Sequence, residues 1–157
     1  MFNKVETLEE AQVRNIEDAL REDIGTGSLA ELFVESNKIE AIIISRENAV
    51  LCGSDWCMGC FKRVNPQIEI NFFKCDGDLL KENETICTIS GDAKGILEAE
   101  RSALNFLQLL SSTATITREY VETLNKINQE HPFCILLDTR KTQPGLRLAQ
   151  KYAVRTG

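Results

Sequence analysis

Residues 133–147, FCILLDTRKTQPGLR, join a short apolar run to a segment rich in hydrogen-bond donors. The run Phe133–Leu137 does not alternate apolar and polar residues, a pattern typical of a parallel strand covered on both faces. Asp138–Thr142 follows at once, and the carboxyl ends of parallel strands are where α/β folds bind ligands. Arg140 offers a planar fork to a carboxylate or phosphate, and Lys141 a mobile point charge. The sequence therefore predicts an anion site at this strand end.

The bases of the chain are concentrated around this segment. The 157 residues carry 24 acids and 18 bases, a net charge of −6, yet residues 138–157 hold one acid and five bases. This local excess suits a ligand with several negative charges, and a solvated basic helix face is the competing interpretation. A turn at 143–145 and a helix over 146–154 are predicted here. The overall acidity argues against nucleic-acid or membrane-surface binding.

No stretch of the sequence predicts insertion into a membrane or secretion. The apolar runs are too short to span a bilayer, and the N-terminus has no basic region followed by an apolar core. We therefore expect a soluble, cytoplasmic protein.

Residues 1–91 predict an α+β unit with a small, largely antiparallel sheet. Helices are predicted at 7–21, where Thr7 and Glu10 fit a capping box, and at 54–64. The predicted strands are 39–45, 49–52, 68–75 and 85–90, with turns at 46–48 and 76–78.

The character of the chain changes near residue 94. Residues 94–110 predict a long helix with a wide apolar stripe, and Ser111–Thr113 interrupts that pattern. A second helix is predicted from residue 116 until His131–Pro132 ends it.

One charged pair, Glu100 and Arg101, lies on the otherwise apolar helix 94–110. Charged side chains are rarely buried without a partner. The pattern alone favours a structural ion pair or a solvent-facing edge. The alternative is that Arg101 points at a ligand or a partner subunit.

The six cysteines include a C-x-x-C at Cys57 and Cys60, which Cys52 extends to the C-x₄-C-x₂-C spacing of some iron–sulfur ligand sets. Helical periodicity favours core packing instead, because Trp56, Cys60 and Val64 share one apolar face. A second C-x-x-C is absent and the chain has one histidine, so zinc-ribbon spacing is missing. A disulfide scaffold is not expected.

Four stretches resemble one known family. They are ALREDIG at 19–25, AERSALNFLQ at 99–108, ILLDTRKTQPGLR at 135–147 and KYAVR at 151–155. Together they are similar to quinolinate phosphoribosyltransferase, also called nicotinate-nucleotide pyrophosphorylase (carboxylating), over nearly the whole chain. That family makes nicotinate mononucleotide from quinolinate and phosphoribosyl pyrophosphate, releasing carbon dioxide and pyrophosphate with magnesium.

The resemblance implies a fold: an N-terminal α/β sandwich with linking helices over residues 1–115, then the first strand and helix of an open α/β barrel over 116–157. It also implies that substrate is bound by Thr139, Arg140, Lys141 and Thr142, with Arg140 and Lys141 as the catalytic pair. Arg101 would reach the active site of the partner in a homodimer, which reverses the interpretation from pattern alone.

The implied reaction needs cations. Quinolinate carries two carboxylates and the phosphoribosyl donor several further charges, so bases must offset their repulsion. Positive charge develops on the sugar as pyrophosphate leaves, and magnesium with a lysine would stabilise the leaving group. The family's magnesium–ribose residues lie beyond the position matching Gly157, so we expect no magnesium ligand in this sequence and no activity from it alone.

Departures and alternatives remain. Ser28–Ala30, Ser112–Thr113 and Gln150 differ from the family pattern, with expected effects on packing. A related protein of the same fold found with molybdenum-uptake genes shares much of the pattern. A non-enzymatic module resembling a lipoyl or biotinyl carrier is weakly suggested by the segment 76–91, which has no modifiable lysine at a hairpin tip. A C-x-x-C metal module is the last alternative.

Overall fold

Helices and short antiparallel strands make up the fold. The computed structural model describes residues 5–25, 27, 34–128 and 134–157. In chain order, the elements in these ranges are α1 (Leu8–Ile24), β1 (Lys38–Ile44), β2 (Ala49–Val50), α2 (Ser54–Val64), β3 (Glu69–Phe72), β4 (Leu79–Leu80), β5 (Thr85–Asp92), α3 (Ala93–Asn128) and α4 (Arg147–Thr156). The predictions on Ser28–Ala30, His131–Pro132 and Phe133 lie outside the described residues.

The start of α1 shows the predicted capping box. Thr7 Oγ1 accepts from the Glu10 amide at 3.2 Å, and Glu10 Oε2 accepts from the Thr7 amide at 2.9 Å. Two of the N–H groups left without partners at a helix start are thereby satisfied. Ala11, Asn15, Ile16 and Leu20 form the buried face of α1. Periodicity predicts Ile16 and Leu20 on this face correctly and Val13 wrongly, because Val13 is 57% exposed.

β5 is the central strand of the main sheet. β1 and β3 flank it, both antiparallel, so that Ile89 lies opposite Ala41 on one side and Ile70 on the other. β2 and β4 form a separate two-stranded sheet. The small antiparallel sheet is confirmed, and the turn at 46–48 joins strands that belong to different sheets.

α2 packs antiparallel along the first half of α3 and supplies much of the core. Trp56 and Phe61 of α2 are fully buried, as are Ala99 and Ala103 of α3. The approach is close at Gly53, where a side chain's Cβ would lie 2.9 Å from a methyl carbon of Leu110 and φ is +97°. Glycine is the residue that tolerates both conditions.

The cysteines of the C-x-x-C belong to this core. Cys52, Cys57, Cys60 and Cys87 are buried free thiols. Burial raises the pKa of Cys60 to about 12 and that of Cys87 to about 11, so both stay protonated at neutral pH. A thiol is a much poorer metal ligand than a thiolate.

α3 is one continuous helix, so the predicted break at Ser111–Thr113 is wrong. Of the residues that suggested a break, Thr113 bonds back within the helix, its Oγ1 donating to the Leu109 carbonyl at 3.0 Å. Thr115 Oγ1, farther along, donates in the same way to the Ser111 carbonyl at 2.7 Å. Such bonds let a hydroxyl residue remain helical. The predicted domain boundary between residues 115 and 116 falls inside α3 and stays a prediction.

Hydroxyl side chains of α3 also form hydrogen bonds with the segment around β2. The Val50 amide donates to Thr115 Oγ1 at 2.8 Å, and the Cys52 amide donates to Ser111 Oγ at 3.0 Å. Ser111 Oγ in turn donates to the Cys52 carbonyl at 3.1 Å. Backbone groups that a short strand leaves without a partner are thus satisfied by side chains of α3.

The predicted strand Phe133–Leu137 is not formed over its described part, residues 134–137. Ile135 and Leu137 are 75% and 74% exposed. A parallel strand needs a neighbouring strand for its hydrogen bonds, and none of the described strands pairs with this segment. The apolar pattern predicts that this segment is buried, and the described residues do not bury it.

No helix in the described ranges combines the length and apolarity that crossing a bilayer requires.

Candidate anion-binding site

The donor-rich segment forms a loop, residues 138–145, that leads directly into α4; we call it the cationic loop. At its start, Lys151 Nζ lies 2.6 Å from Asp138 Oδ1 in an ion pair. Near its end, the Gln143 amide donates to Gln150 Oε1 at 2.7 Å. Two residues of α4 therefore hold the loop that precedes the helix.

A third anchor comes from α1. The Gly145 carbonyl accepts from Asn15 Nδ2 at 2.9 Å and from Arg14 Nη1 at 3.2 Å. Gly145 has φ +79°, which favours glycine, and the Leu146 amide donates to the Gln143 carbonyl to close the turn at 3.1 Å. The predicted turn at 143–145 is confirmed and is attached to the first helix of the chain.

The two bases at the centre of the loop are exposed. Neither Arg140 nor Lys141 has a carboxylate within ion-pair distance among the described residues, whereas Lys151 is paired. Thr139 Oγ1 accepts from the Lys141 amide at 3.1 Å, which fixes the backbone between them, and Thr142 is half-buried beside them. The loop thus presents two uncompensated positive charges from an anchored backbone.

α4 is docked on the core through Tyr152. Its hydroxyl donates to Asp76 Oδ2 at 2.9 Å, and its ring lies against Trp56 with centroids 5.4 Å apart. Asp76 also accepts from the amides of Gly53 and Ser54 at 2.8 and 3.1 Å, so one carboxylate caps α2 and holds α4. Burial and the bond to Asp76 raise the pKa of Tyr152, which keeps its hydroxyl a donor.

The other end of α4 is fixed by Arg118 of α3. Arg118 Nε donates to the Gly157 carbonyl at 2.7 Å, and its Nη2 lies 3.4 Å from the Thr156 carbonyl. Carbonyls at a helix C-terminus have no partners within the helix, and a cation there also interacts favourably with the helix dipole.

Arg101 lies on the surface of α3, with 76% of its side chain exposed. Its Nη1 is 3.1 Å from Asp23 Oδ1 at the end of α1. In the described part of the chain, no hydrogen bond or ion pair joins Arg101 to residues 139–142. The structure therefore brings Thr139, Arg140, Lys141 and Thr142 together in one loop and leaves Arg101 outside their contacts.

A cleft of about 440 Å³ runs between α1, α3 and the end of the cationic loop, with Asp23, Asn105 and Gly145 among its walls. Asp23 and Asn105 also border the recess beside Arg101. The cleft at the end of the loop and the recess beside Arg101 therefore adjoin each other on the same surface.

Sequence reasoning missed the residues that hold the site, above all Asn15, Asp76, Arg118 and Tyr152. A signal for Asn15 was present in the sequence, because it is a polar residue next to the apolar Ile16, and both prove to be buried in α1. The roles of Asp76 and Tyr152 depend on partners 76 residues apart, and no periodicity reveals such a pair.

Two family models match successive parts of the chain. The family model for the quinolinate phosphoribosyl transferase N-terminal domain matches residues 23–111, and the model for its C-terminal domain matches residues 113–157. A Bacillus subtilis protein named as a probable nicotinate-nucleotide pyrophosphorylase (carboxylating) is 39% identical over 138 residues, which is 87% of this chain and 46% of that protein. The chloroplastic nicotinate-nucleotide pyrophosphorylase of Oryza sativa subsp. japonica is 38% identical over 120 residues, or 76% and 30% of the two chains.

Solved structures give the same result. The nicotinate-nucleotide pyrophosphorylase from Francisella tularensis matches with a TM-score of 0.86 and 39% identity, over 99% of this chain and 53% of that one. The similarity confirms the predicted fold class. The chain spans about half the length of this structure and of the Bacillus subtilis relative, and matches both domain models in succession. The chain belongs to the quinolinate phosphoribosyl transferase family.

Proposed function

We propose that this chain provides the quinolinate-binding loop of an enzyme that converts quinolinate and phosphoribosyl pyrophosphate to nicotinate mononucleotide, pyrophosphate and carbon dioxide in NAD biosynthesis. The observation that carries the proposal is the cationic loop. Its backbone is anchored at Asp138, Gln143 and Gly145, while Arg140 and Lys141 between those anchors are exposed. Family membership then supports quinolinate and the phosphoribosyl donor as the anions.

The residue types suit that chemistry. Arg140 presents a fork that can hold a carboxylate through two parallel hydrogen bonds. Lys141 is a compact charge that can follow a phosphate as the leaving group departs. An anchored loop loses little conformational freedom on binding, so more of the interaction energy is available for holding the two substrates in line. Thr139 and Thr142 would complete the site with a backbone-fixing bond and a hydroxyl.

Magnesium is implied by the family resemblance and would neutralise charge on departing pyrophosphate. The described residues bring together no three His, Cys, Asp or Glu side chains in a group that could hold a metal ion. The role proposed for this chain is anion binding through Arg140 and Lys141.

We further propose that the enzyme acts as a homodimer in which Arg101 reaches the partner's cationic loop. Arg101 is exposed and tied to its own chain, among described residues, by one ion pair to Asp23. A surface ion pair of this kind contributes about 0–1 kcal/mol, so a dianionic ligand on a partner subunit could draw the guanidinium away at small cost. A cytoplasmic location is part of the same proposal.

Quinolinate binding tests the proposal directly. Titration calorimetry on the 157-residue chain should show binding that weakens about tenfold or more in Lys141→Ala and Arg140→Ala, because each removes a charge-assisted bond. Lys81→Ala is the matched control, since Lys81 is an exposed lysine outside the loop, and it should bind quinolinate as the wild-type chain does. Equal affinities for Lys141→Ala and Lys81→Ala would overturn the assignment of the loop.

A further inference from the structure

A buried amide joins α1 to the cationic loop. Asn15 is 4% exposed, and both ends of its side chain are used. Nδ2 donates to the Gly145 carbonyl at 2.9 Å, and Oδ1 lies 3.5 Å from Trp56 Nε1 as the acceptor of a long hydrogen bond. A buried amide with both ends satisfied adopts one orientation, because a flip would place donor against donor and acceptor against acceptor.

The second donor to Gly145 is less constrained by the core. Arg14 is 41% exposed and is held mainly by Glu6, with Nε 2.7 Å from Glu6 Oε1. Its contact with the Gly145 carbonyl is 3.2 Å, longer than that of Asn15. The shorter of the two bonds to the Gly145 carbonyl therefore comes from Asn15, the more buried of the two donors.

Trp56 connects the turn to α4 by a second route. The indole lies against the ring of Tyr152, and Tyr152 is bonded to Asp76 at the start of α2. One core side chain thus contacts the residue that holds the end of the loop and the residue that holds the following helix. Loop and helix are positioned from the same point in the core.

We propose that Asn15 is a positioning residue for the cationic loop: the bond from its buried side chain to the Gly145 carbonyl, oriented by Trp56, fixes the turn from which Arg140 and Lys141 are presented. The effect on the loop stands on contacts in the structure, and its consequence for substrate binding rests on the proposed function. The Asn15 side chain is uncharged and contacts the loop at the Gly145 carbonyl, so Asn15→Ala leaves the charge of the site unchanged.

Amide exchange measures the loop without any ligand. The amides of Gln143 and Leu146 are hydrogen-bonded in the wild-type turn. In Asn15→Ala they should exchange about tenfold faster, the loss expected for one hydrogen bond. Asn105→Ala is the matched control, an exposed asparagine from the same cleft, and should leave both amides unchanged. Amides of β5 serve as the reference for global stability.

Two further variants separate the two hydrogen bonds of Asn15. Asn15→Asp keeps an acceptor for Trp56, removes the donor to Gly145 and adds a buried charge, so it should accelerate exchange in the turn at least as much as Asn15→Ala does. Trp56→Phe retains the bond from Asn15 to Gly145 and removes the indole donor, so the turn should change less than in either Asn15 variant. Equal exchange of Gln143 and Leu146 in Asn15→Ala, Asn15→Asp and Asn105→Ala would overturn the proposal.

Ligand binding separates this inference from the proposed function. Quinolinate should bind Asn15→Ala several-fold more weakly than it binds the wild-type chain, with the fluorescence of Trp56, the one tryptophan of the chain, as the signal. If the wild-type chain binds no quinolinate, the proposed function fails, while the exchange comparison still decides whether Asn15 positions the loop. Accelerated exchange with unchanged quinolinate affinity would contradict the claim that the turn sets the presentation of Arg140 and Lys141.

Discussion

Replacing Tyr152 by phenylalanine should loosen α4 from the core without disturbing its packing. The substitution removes the hydroxyl that donates to Asp76 at 2.9 Å and leaves the aromatic ring against Trp56. Asp76 keeps two backbone donors, the amides of Gly53 and Ser54. The variant therefore isolates one hydrogen bond to a partly buried carboxylate.

Hydrogen bonds to charged groups contribute about 1.5–3 kcal/mol. The lower end applies here, because Asp76 retains its other partners and is itself half-buried. We expect Tyr152→Phe to lower the free energy of unfolding by about 1.5 kcal/mol. For a domain of about 150 residues, this corresponds to a decrease in Tm of roughly 3–6 °C.

The pH dependence gives an independent check. Burial and the bond to Asp76 raise the pKa of Tyr152 in the folded chain. A raised pKa means that the stabilisation is complete below the ordinary tyrosine value near 10 and is lost as pH rises above it, because the unfolded chain releases the proton first. The difference in stability between wild type and Tyr152→Phe should therefore shrink as pH rises above about 10.

Urea denaturation followed by circular dichroism measures both effects. Tyr120→Phe is the matched control, because Tyr120 is 60% exposed on α3, and its loss of a hydroxyl should leave the free energy of unfolding within about 0.5 kcal/mol of wild type. If Tyr152→Phe and Tyr120→Phe had the same stability at pH 7, the bond between Tyr152 and Asp76 would not hold α4 as argued.

Four further outcomes are expected. Arg118→Met removes the donor to the last carbonyls of α4, so α4 amides should exchange about five- to tenfold faster by NMR; unchanged exchange contradicts the capping role. Between about pH 9 and pH 12 the folded thiol of Cys60 stays protonated while the unfolded thiol ionises, so the free energy of unfolding should fall less with pH in Cys60→Ala than in the wild-type chain. Identical pH profiles in denaturant titrations would count against this. The 157-residue chain alone should form no nicotinate mononucleotide from quinolinate and phosphoribosyl pyrophosphate, and product detected by chromatography would refute that expectation. In a chain extended to the length of its relatives, Lys141→Ala should abolish turnover and Arg101→Ala should weaken quinolinate binding. Mixing the two variants should restore part of the activity, and no restoration would argue against Arg101 acting across a dimer.

Local patterns predicted the first 92 residues well because their elements are decided locally. The capping box at Thr7 is a property of one helix turn, and α2 begins and ends at the predicted residues, Ser54 and Val64. The four predicted strands agree with β1, β2, β3 and β5 within three residues at each end, and β4 was missed. Their partners were not predictable in this way, because strand pairing depends on contacts far apart in sequence.

The failures have a common physical cause. Hydroxyl side chains usually compete with helical hydrogen bonds, yet here Thr113 bonds back within α3 and Ser111 bonds outward to the segment around β2. The run at 134–137 predicts burial through composition, but composition does not supply a neighbouring strand. In both cases the outcome was decided by what lay beside the segment.

The sequence predicts the charged residues of the candidate site but not the contacts that hold them in place. Arg140 and Lys141 were identified from charge, from their place after an apolar run and from the family resemblance. The anchors Asn15 and Tyr152 act through partners more than 70 residues away. Proximity of that kind emerges only once the chain is folded.

The continuity of α3 has a consequence for how this family can change in length. Each added residue turns the rest of an α-helix by about 100° and advances it by about 1.5 Å. A single insertion between Leu109 and Thr113 would swing Arg118 away from Gly157, while Ala99 and Ala103 kept their places against α2. The 36 residues of α3 therefore set the distance and the angle between its contacts with α2 and with α4. We expect relatives to differ along this helix by substitution and hardly ever by insertion or deletion.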